Sequence, residues 1–190
     1  MIDIGANLLH SQFDIDREEV IERAHAAGVT RILLTASDLP TSANAIKFCS
    51  ARSNIRCTAG VHPHDAKDVD IGWESTLSKL ASSPLVKAVG EMGLDYNRNF
   101  SPPEQQQAVF QKQLSIAEQV GKPVFVHDRE AATDVLAALT GHKGLVGVVI
   151  HCFTGSAKEL EDYLSAGFHI GITGWVCDQR RGKPLRDIVS

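Results

Sequence analysis

Short runs of apolar, β-favouring residues recur along the 190-residue chain, at about residues 1–5, 31–35, 56–61, 86–90, 123–126, 146–150 and 169–173, and the segments between them carry helical periodicity. In DREEVIERAHAAG, Val20, Ile21 and Ala24 share a face, Glu18, Glu22 and Arg23 lie largely outside it, and Gly28 stops the helix. Ser101 followed by Pro102, Pro103 and Glu104 predicts a capped helix start with early prolines, and Gly121 ends that helix; Ser156 with Glu159 repeats the signal and Gly167 closes it. Strands alternating with helices imply a parallel sheet, because each crossover helix returns the chain to the same end. No linker or low-complexity segment divides the sequence, so residues 1–190 are expected to form one domain.

Four of the apolar runs end on a side chain that can bind metal: His62, Glu91, His127 and His151. An open doubly wound sheet draws chemistry from a few loops, whereas a TIM-type (β/α) barrel gathers every strand end around one rim, so this pattern favours the barrel. No G-x-G-x-x-G or G-x-x-x-x-G-K-[ST] string follows the first run, and a nucleotide-cofactor fold has no support of its own. Glu91, His127 and His151 bring a carboxylate and two imidazoles to one rim, a mixed set suited to a divalent cation that activates water. Asp3, Asn7, His62 and His64 stand on the first and third units, placed to complete the coordination or orient a substrate. A lone histidine at a strand end is most often an ordinary hydrogen-bonded residue; it is the repetition on successive units that changes the reading. Strand alternation also sets Cys152 opposite to His151, which makes it a packing residue.

Composition narrows the partners. A net charge of −4 argues against a broad basic nucleic-acid surface and leaves room for a small pocket. The start MIDIGANLL has no basic leader and nowhere do about 18 apolar residues run together, so a cytoplasmic chain without a membrane span is expected. Cys49, Cys57, Cys152 and Cys177 form no CxxC pair and are read as free, buried thiols. Arg98, Arg129, Arg180 and Arg181 fall in loops after strand ends, where a guanidinium can clamp a phosphate; solvated loop charge is the equal alternative. Trp175 can stack on a base but is read rather as packing, and Trp73 as an anchor of its helix. His10, His25, His142 and His169 lack matching partners at strand ends and are read as surface residues or as residues that support the site from behind.

The strings MIDIGANL, TAGVHPHD, GEMGLDYNRNF, PVFVHDRE, IHCFTGS and GITGWVCDQRRG, spread over the whole chain, resemble the TatD family of metal-dependent deoxyribonucleases within the amidohydrolase-like barrels. That resemblance implies hydrolysis of phosphodiester bonds, with 3′-5′ exonuclease action on single-stranded DNA or RNA, magnesium as the usual ion, and Glu91, His127 and His151 as metal ligands. Manganese or zinc suits two imidazoles better than magnesium does. In the catalytic assignment Glu91 and His62 act at the phosphate, with His64, Arg98 and Arg129 binding substrate. Two departures stand out: DIGAN, with Gly5 and Asn7, replaces an Asp-x-His-x-His start, and the sequence contains no TDAPY-like eighth strand with its aspartate. The expectation is therefore a barrel lacking its eighth unit, monomeric when complete and inclined to self-associate in this form. Two alternatives stay open: an ester or amide hydrolase on the same scaffold, such as a deacylase of mischarged tRNA, and a catalytically silent chain.

Overall fold

The computed structural model describes residues 1–179 and 182–189. Seven strands form one sheet in the order β1 to β7: Ile2–Ala6, Arg31–Leu34, Ile55–Ala59, Val86–Asp95, Val124–Arg129, Val148–His151 and His169–Ile170. Every neighbouring pair is parallel, as the alternating pattern requires. The helices α1 to α7 follow the strands in turn: Arg17–Ala26, Leu39–Ser50, Trp73–Ala81, Pro103–Val120, Ala132–Gly141, Ala157–Ser165 and Gly182–Val189. This is the α/β architecture of a TIM-type barrel with seven strands, and no pairing joins β7 to β1 among the described residues. The sheet is nevertheless strongly curled, because Gly5 of β1 and His151 of β6 meet across the mouth: a β-carbon added at residue 5 would lie 2.6 Å from His151 Cε1.

Strands covered on both faces read as continuous apolar runs, and Val124, Phe125 and Val126 of β5 are all buried. Trp73 opens α3 and is buried, as an anchor should be. Gly121 takes the left-handed conformation, φ +64°, that ends α4. Ser156 and Glu159 form a complete capping box on α6, and Asp38 with Thr41 does the same on α2.

Some boundaries differ from the sequence pattern. The strand expected at 86–90 runs on to Asp95, and the run at 169–173 pairs only at His169–Ile170. Ser101 does not cap α4: Pro102 takes that place without a side-chain bond, and Ser101 is buried with its hydroxyl donating to the His64 carbonyl at 2.8 Å and accepting Lys67 N–H at 3.0 Å. Arg129 is the last residue of β5 rather than a loop residue. Arg180 and Arg181 lie outside the described residues.

Candidate metal centre

The centre is built on three strand ends. After β3 the chain continues through Gly60 and Val61 to His62, where Pro63 starts a 3-10 turn over Pro63–Asp68. His62 caps that turn with its own side chain, Nδ1 accepting His64 N–H at 3.2 Å, and the two imidazoles meet edge to face with centroids 4.3 Å apart. From β5, His127 brings its ring to 4.6 Å from that of His62. Ligand atoms of His62, His64 and His127 all lie within 4.8 Å of one another. Imidazole nitrogens around one transition-metal ion sit about 3.4 Å apart, given bonds of about 2.1 Å in a tetrahedral site, so small ring rotations bring this donor set to a cation.

Two carboxylates frame the histidines. Glu91 and Asp95 lie four residues apart on β4, hence on one face. His127 sits between them, Nδ1 3.2 Å from Glu91 and Nε2 3.2 Å from Asp95, while Asp95 also takes His64 Nε2 at 2.7 Å. Burial alone disfavours charge on His127, but Asp95 and Glu91 outweigh it and hold the imidazolium with a pKa of about 9. Burial pushes the Glu91 carboxyl up; the hydrogen bond from His127 and the charges of His62 and His151 more than offset it, leaving a pKa of about 2. Asp95 is likewise driven below the usual carboxylate range, where burial is outweighed by the bonds from His127, Arg98 N–H and His64. His62 moves the other way: burial lowers it to about 3, against the pull of Glu91 3.7 Å from its Nε2. The centre thus pairs one charged histidine with two ionised carboxylates and keeps a neutral imidazole beside them.

Among the described residues, the histidines close enough to share one ion are His62, His64 and His127, which overlap only at His127 with the set Glu91, His127 and His151 read from the sequence. His151 stands opposite His127 in the β5–β6 register, its ring tilted over Phe125 at 4.5 Å, with burial lowering its pKa. Glu91 links the groups, since its charge acts on His62, His127 and His151 alike. Asp3 accepts Gly5 N–H at 3.0 Å, and Asn7 is exposed. Asp95 was missed in the sequence because the strand was ended at residue 90; the alternation Glu91, Gly93, Asp95 carried the signal.

Around the rim, Arg98 is exposed, and Phe100, 53% exposed, lies edge-on to His64 at 4.7 Å. Arg129 lines a cavity of about 470 Å³ with Glu130, Thr154, Trp175 and Leu185, and its buried Nε has no hydrogen-bond partner among the described residues. Trp175 packs partly buried against the core. At Cys152 the strand alternation no longer applies: β6 ends at His151, Cys152 turns to φ +49°, and its partly buried thiol lies 3.4 Å from the Thr173 hydroxyl. Cys49 and Cys57 are buried free thiols, but Cys177 is exposed. His142 bridges Glu118 and Gln111, and His10 caps a 3-10 turn.

Comparison with known proteins identifies a family. The family model described as TatD related DNase matches residues 2–190. The 3′-5′ ssDNA/RNA exonuclease TatD of Klebsiella pneumoniae is 48% identical over 190 residues, all of this chain and 72% of that protein. The enzyme of the same name from Edwardsiella piscicida is 48% identical over 191 residues, with 100% and 74% covered. Among solved structures, a TatD homologue from Escherichia coli K12 superposes with a TM-score of 0.91 at 27% identity, covering 99% of this chain and 73% of its own. An uncharacterized amidohydrolase from Saccharomyces cerevisiae shares the fold, with a TM-score of 0.79 at 24% identity over 92% of this chain and 68% of its own. With rim histidines, two strand carboxylates and a family match over nearly its full length, the chain belongs to the TatD family of DNases.

Proposed function

We propose that this chain is a metal-dependent hydrolase that shortens single-stranded DNA or RNA from the 3′ end, carried out by one hydrolase domain over residues 1–190. The observation that carries this reading is the meeting of His62, His64 and His127 with Glu91 and Asp95 at the strand ends of a TatD-family chain. The nuclease names of its relatives favour phosphodiesters over the esters or amides of a deacylase.

Glu91, His127 and His151 are assigned as ligands of a divalent ion, with His64 and Asp95 beside them. Magnesium follows from the family resemblance, while the imidazoles fit manganese or zinc. When bound, such an ion would supply Lewis-acid polarisation of a phosphoryl oxygen and a more acidic water. His62, kept neutral by burial, offers an imidazole that can orient the phosphate or a bound water by hydrogen bonding. Arg98 and Arg129 are assigned to flanking phosphates, which the buried Arg129 Nε, without a hydrogen-bond partner among the described residues, supports, and the exposed Phe100 ring beside His64 is assigned to stack on a base. A nucleic-acid substrate of this kind suits a cytoplasmic location.

End-labelled single- and double-stranded DNA, incubated after chelation with magnesium, manganese or zinc, tests the reading. Stepwise shortening of the single strand from its 3′ end should return with a divalent ion and vanish in the His127→Ala, His151→Ala double substitution. Turnover that survives chelation or that double substitution would overturn it.

A further inference from the structure

Gln106 and Gln113 lie seven residues apart on α4, two helical turns, so both point inward along the line that buries Phe110 and Leu114. They are 1% and 0% exposed. Filling the core would require only leucine or methionine there, and burying an amide is unfavourable unless its bonds are met. Here every bond goes to backbone, at Val61 and Asp95 beside the centre and at Ser101, which holds the His64 loop. Gln113 accepts Val61 N–H on Oε1 at 2.8 Å and donates Nε2 to the Val61 carbonyl at 2.9 Å. Gln106 accepts Asp95 N–H at 2.8 Å and donates to the Asp95 carbonyl at 3.1 Å and the Ser101 carbonyl at 2.7 Å.

The placement has a cause in the sheet. The β3–β4 ladder stops at Ala59 opposite Val89, so the backbones of Val61 and Asp95 lie beyond it. Each glutamine supplies the pair of bonds that a neighbouring strand would have made. Val61 precedes His62, and Asp95 holds both His64 and His127. Ser101, held through its carbonyl by Gln106, hydrogen-bonds the His64 carbonyl in turn.

We propose that Gln106 and Gln113 are positioning residues that set His62, His64 and Asp95 in place for cation binding; this rests on reading those side chains as part of the cation site. The test compares Gln106→Met and Gln113→Met with Val109→Ala, a buried α4 residue that touches none of these loops by hydrogen bond. Manganese affinity is measured by calorimetry, histidine ring signals by NMR without metal, melting by circular dichroism, and kcat and KM on a single-stranded oligonucleotide.

Each methionine variant should fold, bind manganese at least tenfold more weakly, shift the His62 or His64 ring signals, and lose at least tenfold in kcat with KM within threefold. Val109→Ala should melt at least as early yet keep manganese affinity within twofold. Manganese affinity within twofold of the parent in a folded methionine variant overturns the proposal, as does an equal loss of affinity in Val109→Ala. Where a methionine variant does not fold, the corresponding glutamate variant, which retains the acceptor and lacks the amide donor, is judged by the same thresholds. If that too fails to fold, the glutamine is structural and the proposal falls for it. A parent that binds manganese but cleaves nothing refutes the nuclease reading while the affinity comparison still decides the positioning role; a parent that binds no cation overturns both.

Discussion

The ring of His151 fills the space that a side chain at residue 5 would need, with its Cε1 2.6 Å from where a β-carbon on Gly5 would stand. The missing histidine of the first strand and the presence of His151 on the sixth are thus one arrangement. Gly5→Ala should displace the ring and reduce metal-dependent cleavage at least tenfold. Cleavage within twofold of the parent, with the His151 ring signals unmoved, would show that the ring has another place to go.

Asp95 is bound by two imidazoles, so Asp95→Asn removes the charge that both share. A hydrogen bond to a charged group contributes about 1.5–3 kcal/mol, and a loss of stability of that order is expected on chemical denaturation. The pKa of His127 should fall towards the ordinary histidine value, which an NMR titration of its ring reads directly. A His127 titration that does not move would mean Glu91 alone holds its proton.

Uptake of a cation should release a proton. Without metal His127 keeps its imidazolium up to a pKa of about 9, well above the ordinary histidine value, whereas a metal ligand must be a neutral imidazole. Between about pH 7 and pH 9 binding therefore competes with this proton; apparent affinity rises with pH and levels off above about 9. Calorimetry in two buffers of different ionisation enthalpy measures the proton released. No release at pH 7.5 would place His127 outside the ligand set.

Among the described residues Arg98 and Arg129 are the arginines assigned to substrate, and the chain carries a net charge of −4, so binding of a short oligonucleotide should fall only gently with salt. Arg129, whose buried Nε has no partner among the described residues, should be felt first: Arg129→Met is expected to raise KM about tenfold while kcat changes little. Phe100→Ala, which removes the exposed ring beside His64, should raise KM about three- to tenfold. Unaltered KM in both variants would locate the nucleic-acid path elsewhere on the mouth.

Strand positions and helix stops were legible because they depend on local pattern: the runs ending at His127 and His151, the Gly121 stop and the Ser156 capping box all appear where the sequence puts them. What depends on distant chain was not. Ser101 looks like a cap by its neighbours, yet its hydroxyl is taken by the His64 loop. Asp95 was hidden by the glycines around it, which end a β-favouring run on paper although the ladder with β5 continues to Asp95 opposite Arg129. His62, past the end of β3, and His127 of β5 meet across β4, and no spacing along the sequence encodes that distance.

The pairing of β7 is confined to His169 and Ile170, opposite Val149 and Ile150, whereas β4 and β5 are paired from Val89–Val124 to Asp95–Arg129. Amide hydrogen exchange should therefore run as a gradient across the molecule, fastest at β7 and slowest through β3, β4 and β5. His62, Glu91, Asp95 and His127 belong to the slow half, while His151 sits on the strand that borders the fast one. A cation bound to His151 and Glu91 together would join the two halves, and its arrival should be seen as slower exchange in β6 and β7 while the rest of the sheet keeps its rates.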